Sequence, residues 1–271
     1  MFPFFKYHGL GNDFLILERS GLGEQELTDL MVQKLCCRHR GVGADGILLV
    51  DLLPSGDLSP PRVRMVIFNR DGSRPQMCGN GVRCVVAYAA KRWGVAGPMI
   101  VESDAGPRRC EWEALAPDEF EVAVEMGPIS VGEKRENFPV GELSYPFWRV
   151  DVGNPHAVVF EMPALEAIDR AGESANRQKE IFPEGVNVEF VSPQKGELRV
   201  VVFERGVGRT QACGTGACAV AAAAWKAGLV SPGTPVRVVL PGGGLEIEER
   251  EEQIWMKGPA EEVFEGVWKP N

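Results

Sequence analysis

The sequence predicts a mixed α/β fold, of the α+β-like kind, made of two pseudo-symmetric domains that each wrap a sheet around a central helix. Three observations lead to this prediction: an internal repeat, short strand-like runs in each half, and one apolar helix per half that begins directly after a Cys-Gly pair. The repeat is the strongest of the three, because it relates distant parts of one chain.

The internal repeat is clearest where residues 64–91 align with residues 199–226 at a constant offset of 135. Thirteen of the 28 aligned positions are identical, and no gap is needed. About two identities would be expected by chance at ordinary residue frequencies. A weaker echo relates Gly11-Asn12 to Gly153-Asn154 at an offset of 142. The two repeats therefore extend roughly over Phe4–Pro128 and Tyr145–Pro259.

Most of each repeat consists of short β-branched or aromatic runs bounded by Gly, Pro, Asn or Asp, which is typical of strands. We predict strands at Phe14–Leu17, Ile47–Val50, Val63–Phe68, Val122–Met126, Ala157–Phe160, Val188–Val191, Leu198–Phe203, Val236–Leu240 and Leu245–Glu248. One helix per half begins at Gly79 or Gly214 and continues as an Ala- and Val-rich stretch with few charges. A helix that is apolar on all faces is buried, so each helix should lie inside its sheet with Cys78 or Cys213 at its N-terminus.

The composition indicates a globular protein, with 44% hydrophobic and 25% charged residues among 271. The net charge of −9 argues against nucleic acid or an anionic membrane surface as the main partner. The longest uncharged apolar stretch, Ala212–Trp225, is too short for a membrane span. No targeting segment is recognisable, so we expect a cytoplasmic protein. The seven cysteines include no C-x-x-C spacing, which predicts neither a metal site nor a disulfide framework.

Two cysteines at helix N-termini suit proton transfer next to a carboxylate. The first turn presents unpaired N–H groups and the positive end of the helix dipole, which bind anions and favour a thiolate. Two such thiols, one from each repeat, could remove and return a proton on opposite faces of an α-carbon. Cys84 and Cys218 do not match each other under the offset, and Cys36 and Cys37 have no counterpart, so we interpret these as structural.

Polar residues follow the strands that precede both cysteines. Glu204 could hold a substrate ammonium, and Arg205 could hold a carboxylate with its two-pronged guanidinium. Asn154 and His156 add an amide and an imidazole, and an imidazole near a thiol can tune its ionisation. The residues alone thus favour a cofactor-free isomerase that inverts an amino-acid α-carbon, with a thiol-redox protein as an alternative of another class.

The chain closely resembles the diaminopimelate epimerases along nearly its whole length. The motifs that carry the resemblance are HGLGNDF (His8–Phe14), RHRGVGADG (Arg38–Gly46), IFNRDGS (Ile67–Ser73), QMCGNGVRC (Gln76–Cys84), GNPHAV (Gly153–Val158), VNV (Val186–Val188), ERGVGRTQACGTGACA (Glu204–Ala219) and LPGGGL (Leu240–Leu245). The two cysteine motifs and the ERG segment are highly specific in combination.

The resemblance implies interconversion of LL- and meso-2,6-diaminopimelate without a cofactor, in lysine and peptidoglycan precursor synthesis. It makes Cys78 the proton donor and Cys213 the acceptor in the LL-to-meso direction. The family motifs place substrate-binding groups at Asn12, Asn69, Gly79, Asn80, Asn154, Asn187, Glu204, Arg205, Gly214 and Thr215, with His156 and Glu204 tuning the thiols. It also implies an N-terminal half of residues 1–118 plus 265–271 and a C-terminal half of residues 119–264.

Several expectations stay open beside this one. A proline racemase-like or hydroxyproline epimerase-like enzyme uses the same pair of cysteines, although proline does not need the polar anchors of a second amino-acid head group. This chain has Gly46 where some relatives carry a Gln that contacts substrate. We expect a small-molecule amino-acid substrate and no nucleic-acid or membrane partner, and a homodimer stays open.

Overall fold

The computed structural model describes residues 1–23, 26–54, 60–140 and 143–269. These form two compact units, one of Met1–Val124 with Gly258–Asn271 and the other of Glu125–Lys257. Their boundaries lie inside strands, six or seven residues from the boundaries at 118/119 and 264/265 expected from the sequence. Pro270 and Asn271, which the sequence prediction assigns to the first half, lie outside the described residues.

The first unit is a closed eight-stranded barrel around a helix. Its strands follow the order β1-β2-β3-β4-β5-β6-β7-β16, and β1 pairs with β16 to close the ring. The strands are β1 (Phe2–Gly9), β2 (Asn12–Glu18), β3 (Gly46–Leu53), β4 (Arg62–Asn69), β5 (Met99–Ser103), β6 (Gly106–Ala116), β7 (Glu119–Gly127) and β16 (Gln253–Trp268). The helices are α1 (Arg19–Leu22), α2 (Asp29–Cys36) and α3 (Gly79–Trp93).

Helix α3 is the buried core of this barrel, as its sequence predicts. Residues 79–89 of α3 are all buried, and its last turn carries Lys91 and Arg92, which complement the C-terminal end of the helix dipole. The helix stops at Gly94, whose φ of 63° is the left-handed conformation in which glycine costs least. The predicted central helix is thus confirmed.

The second unit repeats the same connections. Its strands follow the order β16-β15-β14-β12-β11-β10-β9-β8, with β13 beside β12. The strands are β8 (Ser130–Val140), β9 (Leu143–Asp151), β10 (Pro155–Val159), β11 (Asn187–Gln194), β12 (Glu197–Glu204), β13 (Gly208–Arg209), β14 (Val236–Leu240) and β15 (Gly243–Arg250). The helices are α4 (Leu165–Arg177) and α5 (Gly214–Lys226), and α5 is buried along nearly all of its length.

The parallel strand pairs show that the duplication extends to topology. In the first unit β2–β3 and β4–β5 are parallel, and in the second β10–β11 and β12–β14 are parallel. A parallel pair needs a crossover connection, and these crossovers contain α1, α2 and α3 in the first unit and α4 and α5 in the second. The predicted α/β fold of two pseudo-symmetric halves is confirmed.

Helices α2 and α4 are absent from the sequence prediction. Helix α4 buries Ile168, Ala171, Gly172 and Ala175, a spacing of three and four residues that marks one helical face. That spacing was readable in the sequence. Within the described ranges, no helix is long and apolar enough to cross a membrane.

Candidate active site

Cys78 is the N-cap of α3 and has an extended backbone conformation, with φ −143° and ψ 120°. Its Sγ lies 3.8 Å from Asn12 Oδ1, and the same oxygen accepts a hydrogen bond from Asn80 Nδ2 at 3.1 Å. Asn12 opens β2 and Asn80 is in the first turn of α3. The first unit thus brings Cys78, Gly79, Asn80 and Asn12 together, as the family motifs imply.

A cluster of charged side chains contacts this group of residues through Asn12. Asp13 is 8% exposed and binds both Arg38 (2.7 Å) and Lys6 (2.8 Å), while Asp45 binds Arg38 and Asn12. Sequence reasoning missed this cluster as part of the site, although Arg38 and Asp45 stand in one of the family motifs. Asp13 follows Asn12 in the chain, and Asp45 comes close to both because β2 and β3 are parallel neighbours.

The charged cluster predicts a loss of stability in acid. Burial alone would raise the pKa of Asp13, but hydrogen bonds and charge from Arg38 and Lys6 lower it to about 2. A carboxyl whose pKa is depressed by folding stabilises the protein above its unfolded pKa and loses that contribution as the pH falls toward the folded value. Between about pH 4 and pH 2 the protein should lose about 2 kcal/mol of stability through Asp13.

Urea unfolding as a function of pH tests this prediction. The Asp13→Asn variant should be less stable than wild type at neutral pH and should lose less stability than wild type between about pH 4 and pH 2. Equal pH slopes for the two proteins in that window would contradict the assignment to Asp13.

Two other candidates in the first unit are held differently. Asn69 donates from Nδ2 to Ser73 Oγ at 2.9 Å and anchors the turn after β4. Gly46 has no room for a side chain, because a Cβ there would lie 2.5 Å from the carbonyl oxygen of Phe68. A Gln at position 46 would therefore need a different local backbone.

Cys213 lies at the N-cap of α5 and is buried, with 7% exposure. Its Sγ accepts a hydrogen bond from the backbone N–H of Gly216 at 3.3 Å and lies 3.5 Å from the hydroxyl of Thr215. Both contacts come from the first helical turn, which is where donors without an intrahelical partner are found.

The ionisation of Cys213 differs from the sequence expectation. Burial raises the pKa of the Cys213 thiol well above its ordinary value, and the carboxyl groups of Glu204 and Glu189 raise it further. The hydrogen bonds from Thr215 and Gly216 lower the pKa, but they do not offset burial and two acidic neighbours. Burial and the two acidic neighbours therefore oppose the thiolate that the helix N-terminus favours on local grounds.

A buried chain of polar groups lies beside α5. Glu189 Oε1 contacts His156 Nδ1 at 2.7 Å, and His156 Nε2 contacts Asn154 Oδ1 at 3.0 Å. The side chains of Glu189 and His156 are both fully buried. Because Asn154 Oδ1 can only accept, His156 Nε2 is the donor in this contact. Burial raises the pKa of Glu189, and His156 counteracts this in part.

Glu189 is the functional candidate that sequence reasoning missed. It stands two residues after Asn187 in a strand whose first five residues are all buried. Residues two apart in a strand share a face, so Glu189 lies on the same face as Asn187. A carboxylate in a strand that is otherwise rich in Val and Phe indicates a specific partner, because burying an unpaired charge is costly. That signal was available in the sequence.

The remaining candidates hold the end of β12. Asn187 Oδ1 accepts from the backbone N–H of Arg205 at 2.9 Å, and its Nδ2 donates to the carbonyl of Pro155 at 3.4 Å. The Arg205 guanidinium donates to the carbonyl of Glu184, and Glu204 accepts from the hydroxyl of Thr210. Burial raises the pKa of Glu204, and Glu189 adds to this effect. The Asn187 side chain therefore positions the Glu204-Arg205 segment.

Gly81 and Gly216 occupy equivalent positions in the two units, three residues after each cysteine, and the space around them can be compared. A Cβ on Gly216 would lie 2.8 Å from Glu189 Oε1 and 3.2 Å from Cys213 Sγ, whereas a Cβ on Gly81 would meet the end of Leu48 at 3.0 Å. Glu189 is held by His156, while Leu48 can change rotamer. Gly216→Ala should therefore cost about 1–3 kcal/mol and Gly81→Ala less.

Thermal or urea unfolding of the two glycine variants checks this order. The matched pair controls for the helix propensity gained when glycine becomes alanine, which is the same in both. An equal or greater loss in Gly81→Ala would mean that Glu189 is free to move away.

Comparisons with known proteins show which family the chain resembles. The family model described as diaminopimelate epimerase matches residues 4–131 and 148–263. The diaminopimelate epimerase of Desulforudis audaxviator is 42% identical over 283 residues, covering 98% of each chain, and that of Carboxydothermus hydrogenoformans is 40% identical over 288 residues, again covering 98% of each.

Solved structures support the fold at lower identity. A predicted epimerase from Pseudomonas aeruginosa superposes with a TM-score of 0.76 at 16% identity, covering all of both chains. A hydroxyproline epimerase from Agrobacterium vitis gives 0.71 at 15% identity, covering 98% of this chain and 91% of that one. With the family model matching both units and relatives at about two fifths identity over nearly the full length, the chain belongs to the diaminopimelate epimerase family.

Proposed function

We propose that this protein is an isomerase that interconverts LL- and meso-2,6-diaminopimelate by two-base proton transfer between Cys78 and Cys213. The single observation that carries the proposal is the placement of both cysteines at the N-caps of the two buried helices of a duplicated fold. The relatives named diaminopimelate epimerase, which match nearly the whole chain, support the identity of the substrate.

The first helical turns are suited to hold the reacting carboxylate. The backbone N–H groups of Gly79 and Asn80, and of Gly214 and Thr215, come directly after the two cysteines, where an α-helix has donors without intrahelical partners. The charge that develops on the carboxylate when the α-proton leaves would be stabilised by these donors. We assign the remaining substrate contacts to Asn12, Asn69, Asn154, Asn187, Glu204 and Arg205.

The two sulfurs have hydrogen-bond partners of different kinds. Cys78 lies near a carbonyl oxygen, which accepts the proton of a thiol, whereas Cys213 accepts a backbone N–H, which stabilises a thiolate. In the LL-to-meso direction, Cys78 would therefore donate the proton and Cys213 would accept it. The reverse reaction exchanges these roles.

Substrate binding would lower the pKa of the Cys213 thiol and so allow the thiolate to form. Glu204 and Glu189 disfavour a negative charge on Cys213, as burial does. A substrate ammonium beside Glu204 would offset that acidic field, because an opposite charge nearby favours the charged form of a group. The base would thus form only when the amino acid is present. His156 and Glu204 act in this proposal by tuning the thiol.

Deuterium exchange at the α-carbon tests the proposed function. We expect wild-type protein in D₂O to convert LL-diaminopimelate to the meso form with incorporation of solvent deuterium, without added cofactor. L-proline and trans-4-hydroxy-L-proline serve as control substrates and should exchange at background rates. Inversion of either control, with none of diaminopimelate, would overturn the assignment of substrate.

A further inference from the structure

Both ends of the Asn12 amide have defined partners in the first unit. Its Nδ2 donates to Asp45 Oδ2 at 3.0 Å, and its Oδ1 accepts from Asn80 Nδ2 at 3.1 Å and faces Cys78 Sγ at 3.8 Å. The orientation of this amide decides whether Cys78 meets an acceptor or a donor.

Asp45 leaves the amide one favourable orientation. Its Oδ1 accepts from Arg38 Nη2 at 2.7 Å, and Arg38 also binds Asp13 with both of its terminal nitrogens. A carboxylate paired with a guanidinium is ionised and can only accept hydrogen bonds. The NH₂ group of Asn12 must therefore face Asp45, and its carbonyl oxygen must face the thiol.

The second unit holds the equivalent asparagine the other way. Asn154 Oδ1 is taken by His156 Nε2 at 3.0 Å, and Cys213 Sγ accepts from the N–H of Gly216. Asn12 and Asn154 correspond at the offset of 142 residues, but the carbonyl oxygen of Asn12 faces the thiol of Cys78, whereas that of Asn154 accepts from His156. The charged or ionisable partner of each asparagine is what differs between the units: Asp45 in one and His156 in the other.

We propose that Asp45, held in place by Arg38, is a positioning residue that turns the Asn12 carbonyl oxygen toward Cys78 and so keeps Cys78 protonated. A hydrogen bond to the neutral form of a group disfavours its ionisation. This inference rests on the proposed function in one respect, since it explains why Cys78 would be the proton donor.

Many other ionisable groups on the elements around α3 are paired with one another: Lys6 with Asp13, His8 with Glu261, Arg62 with Glu102, Arg64 and Arg74 with Asp104, Arg19 with Asp51, and Lys91 and Arg92 with Glu262. Glu18 of β2 accepts hydrogen bonds from Tyr88 and Trp93 of α3. Arg83, within α3 itself, donates to the carbonyl of Pro259 at 3.1 Å. Replacing the Asp45 carboxylate leaves these pairs in place and changes the partner of Asn12.

Alkylation of Cys78 by iodoacetamide, followed by peptide mass analysis across about pH 5 to 9, tests the inference, because only the thiolate reacts. In Asp45→Asn, the new amide can accept from Arg38 and donate to Asn12, which turns the Asn12 NH₂ group toward the sulfur. We expect Cys78 to react about tenfold faster at neutral pH, which is the effect of lowering the pKa of its thiol by about one unit. Cys213 in the same sample should react as in wild type.

Two further variants make the result decisive. Asp51→Asn removes a carboxylate from β3 that pairs with Arg19 at 2.8 Å, and it should leave the Cys78 profile unchanged. Asn12→Ala removes the acceptor directly and should accelerate alkylation in the same direction as Asp45→Asn. If Asp45→Asn fails to fold, as judged by circular dichroism, Asn12→Ala decides the question.

A folded Asp45→Asn or Asn12→Ala protein in which Cys78 reacts at the wild-type rate would overturn the inference. The alkylation assay contains no substrate, so its outcome does not depend on whether diaminopimelate is the natural substrate.

Discussion

Replacing either Cys78 or Cys213 by alanine is expected to reduce epimerisation by about 10²–10⁴-fold, the usual contribution of a positioned acid or base. The reason is geometric. Inversion requires one group to remove the α-proton and another to deliver a proton to the opposite face. A single remaining thiol can exchange the proton on its own side but cannot invert the centre.

The measurement is inversion of LL-diaminopimelate followed together with deuterium incorporation in D₂O. Cys37→Ala is a suitable control, because Cys37 is a partly exposed free cysteine outside the proposed site, and it should retain activity. Cys78→Ser and Cys213→Ser test whether the sulfur itself is needed, since a hydroxyl ionises far less readily. Inversion at the wild-type rate by either alanine variant would refute the two-thiol mechanism.

Glu189→Leu is expected to destabilise the protein by about 3–5 kcal/mol, because it removes one partner of a buried ionisable pair and leaves the other alone. Both side chains are fully buried, and the two groups are 2.7 Å apart. His156→Phe should destabilise for the same reason, since it leaves the Glu189 carboxyl group without its imidazole.

The first unit has two apolar residues at the positions that correspond to His156 and Glu189, and they suggest a double variant that replaces both polar groups. Strand pairing places Phe14 opposite Gly46 in the first unit and His156 opposite Asn187 in the second, and Leu48 approaches Gly81 as Glu189 approaches Gly216. Phe14 and Leu48 are thus the apolar equivalents of His156 and Glu189. The double variant His156→Phe with Glu189→Leu should recover most of the stability lost in either single variant.

Urea unfolding of the four proteins gives a double-mutant cycle for this pair. Losses that simply add in the double variant would show that the two groups do not interact. The double variant should also lower the pH at which Cys213 is alkylated, because one of the two carboxyl groups that raise the pKa of Cys213 is gone.

Much of the site was predictable because it is encoded twice. The offset of 135 residues singles out Cys78 and Cys213 among seven cysteines, and the Ala- and Val-rich segments that follow predict buried helices with those cysteines at their N-caps. Asn12, Asn80 and Thr215 lie beside the thiols as the family motifs imply. These features depend on local pattern, which duplication makes visible.

Only the tertiary structure shows what surrounds Cys213 and how the amides of Asn12 and Asn154 are oriented. The sequence places Cys213 at a helix N-terminus, which on local grounds favours a thiolate. Glu189 and Glu204 come from β11 and β12, and they reverse that preference together with burial. Ionisation depends on the total field and on desolvation, which are sums over neighbours distant in sequence. The sequence by itself thus predicted which atoms could carry the chemistry, whereas the ionisation of Cys213 depends on neighbours that only the fold brings together.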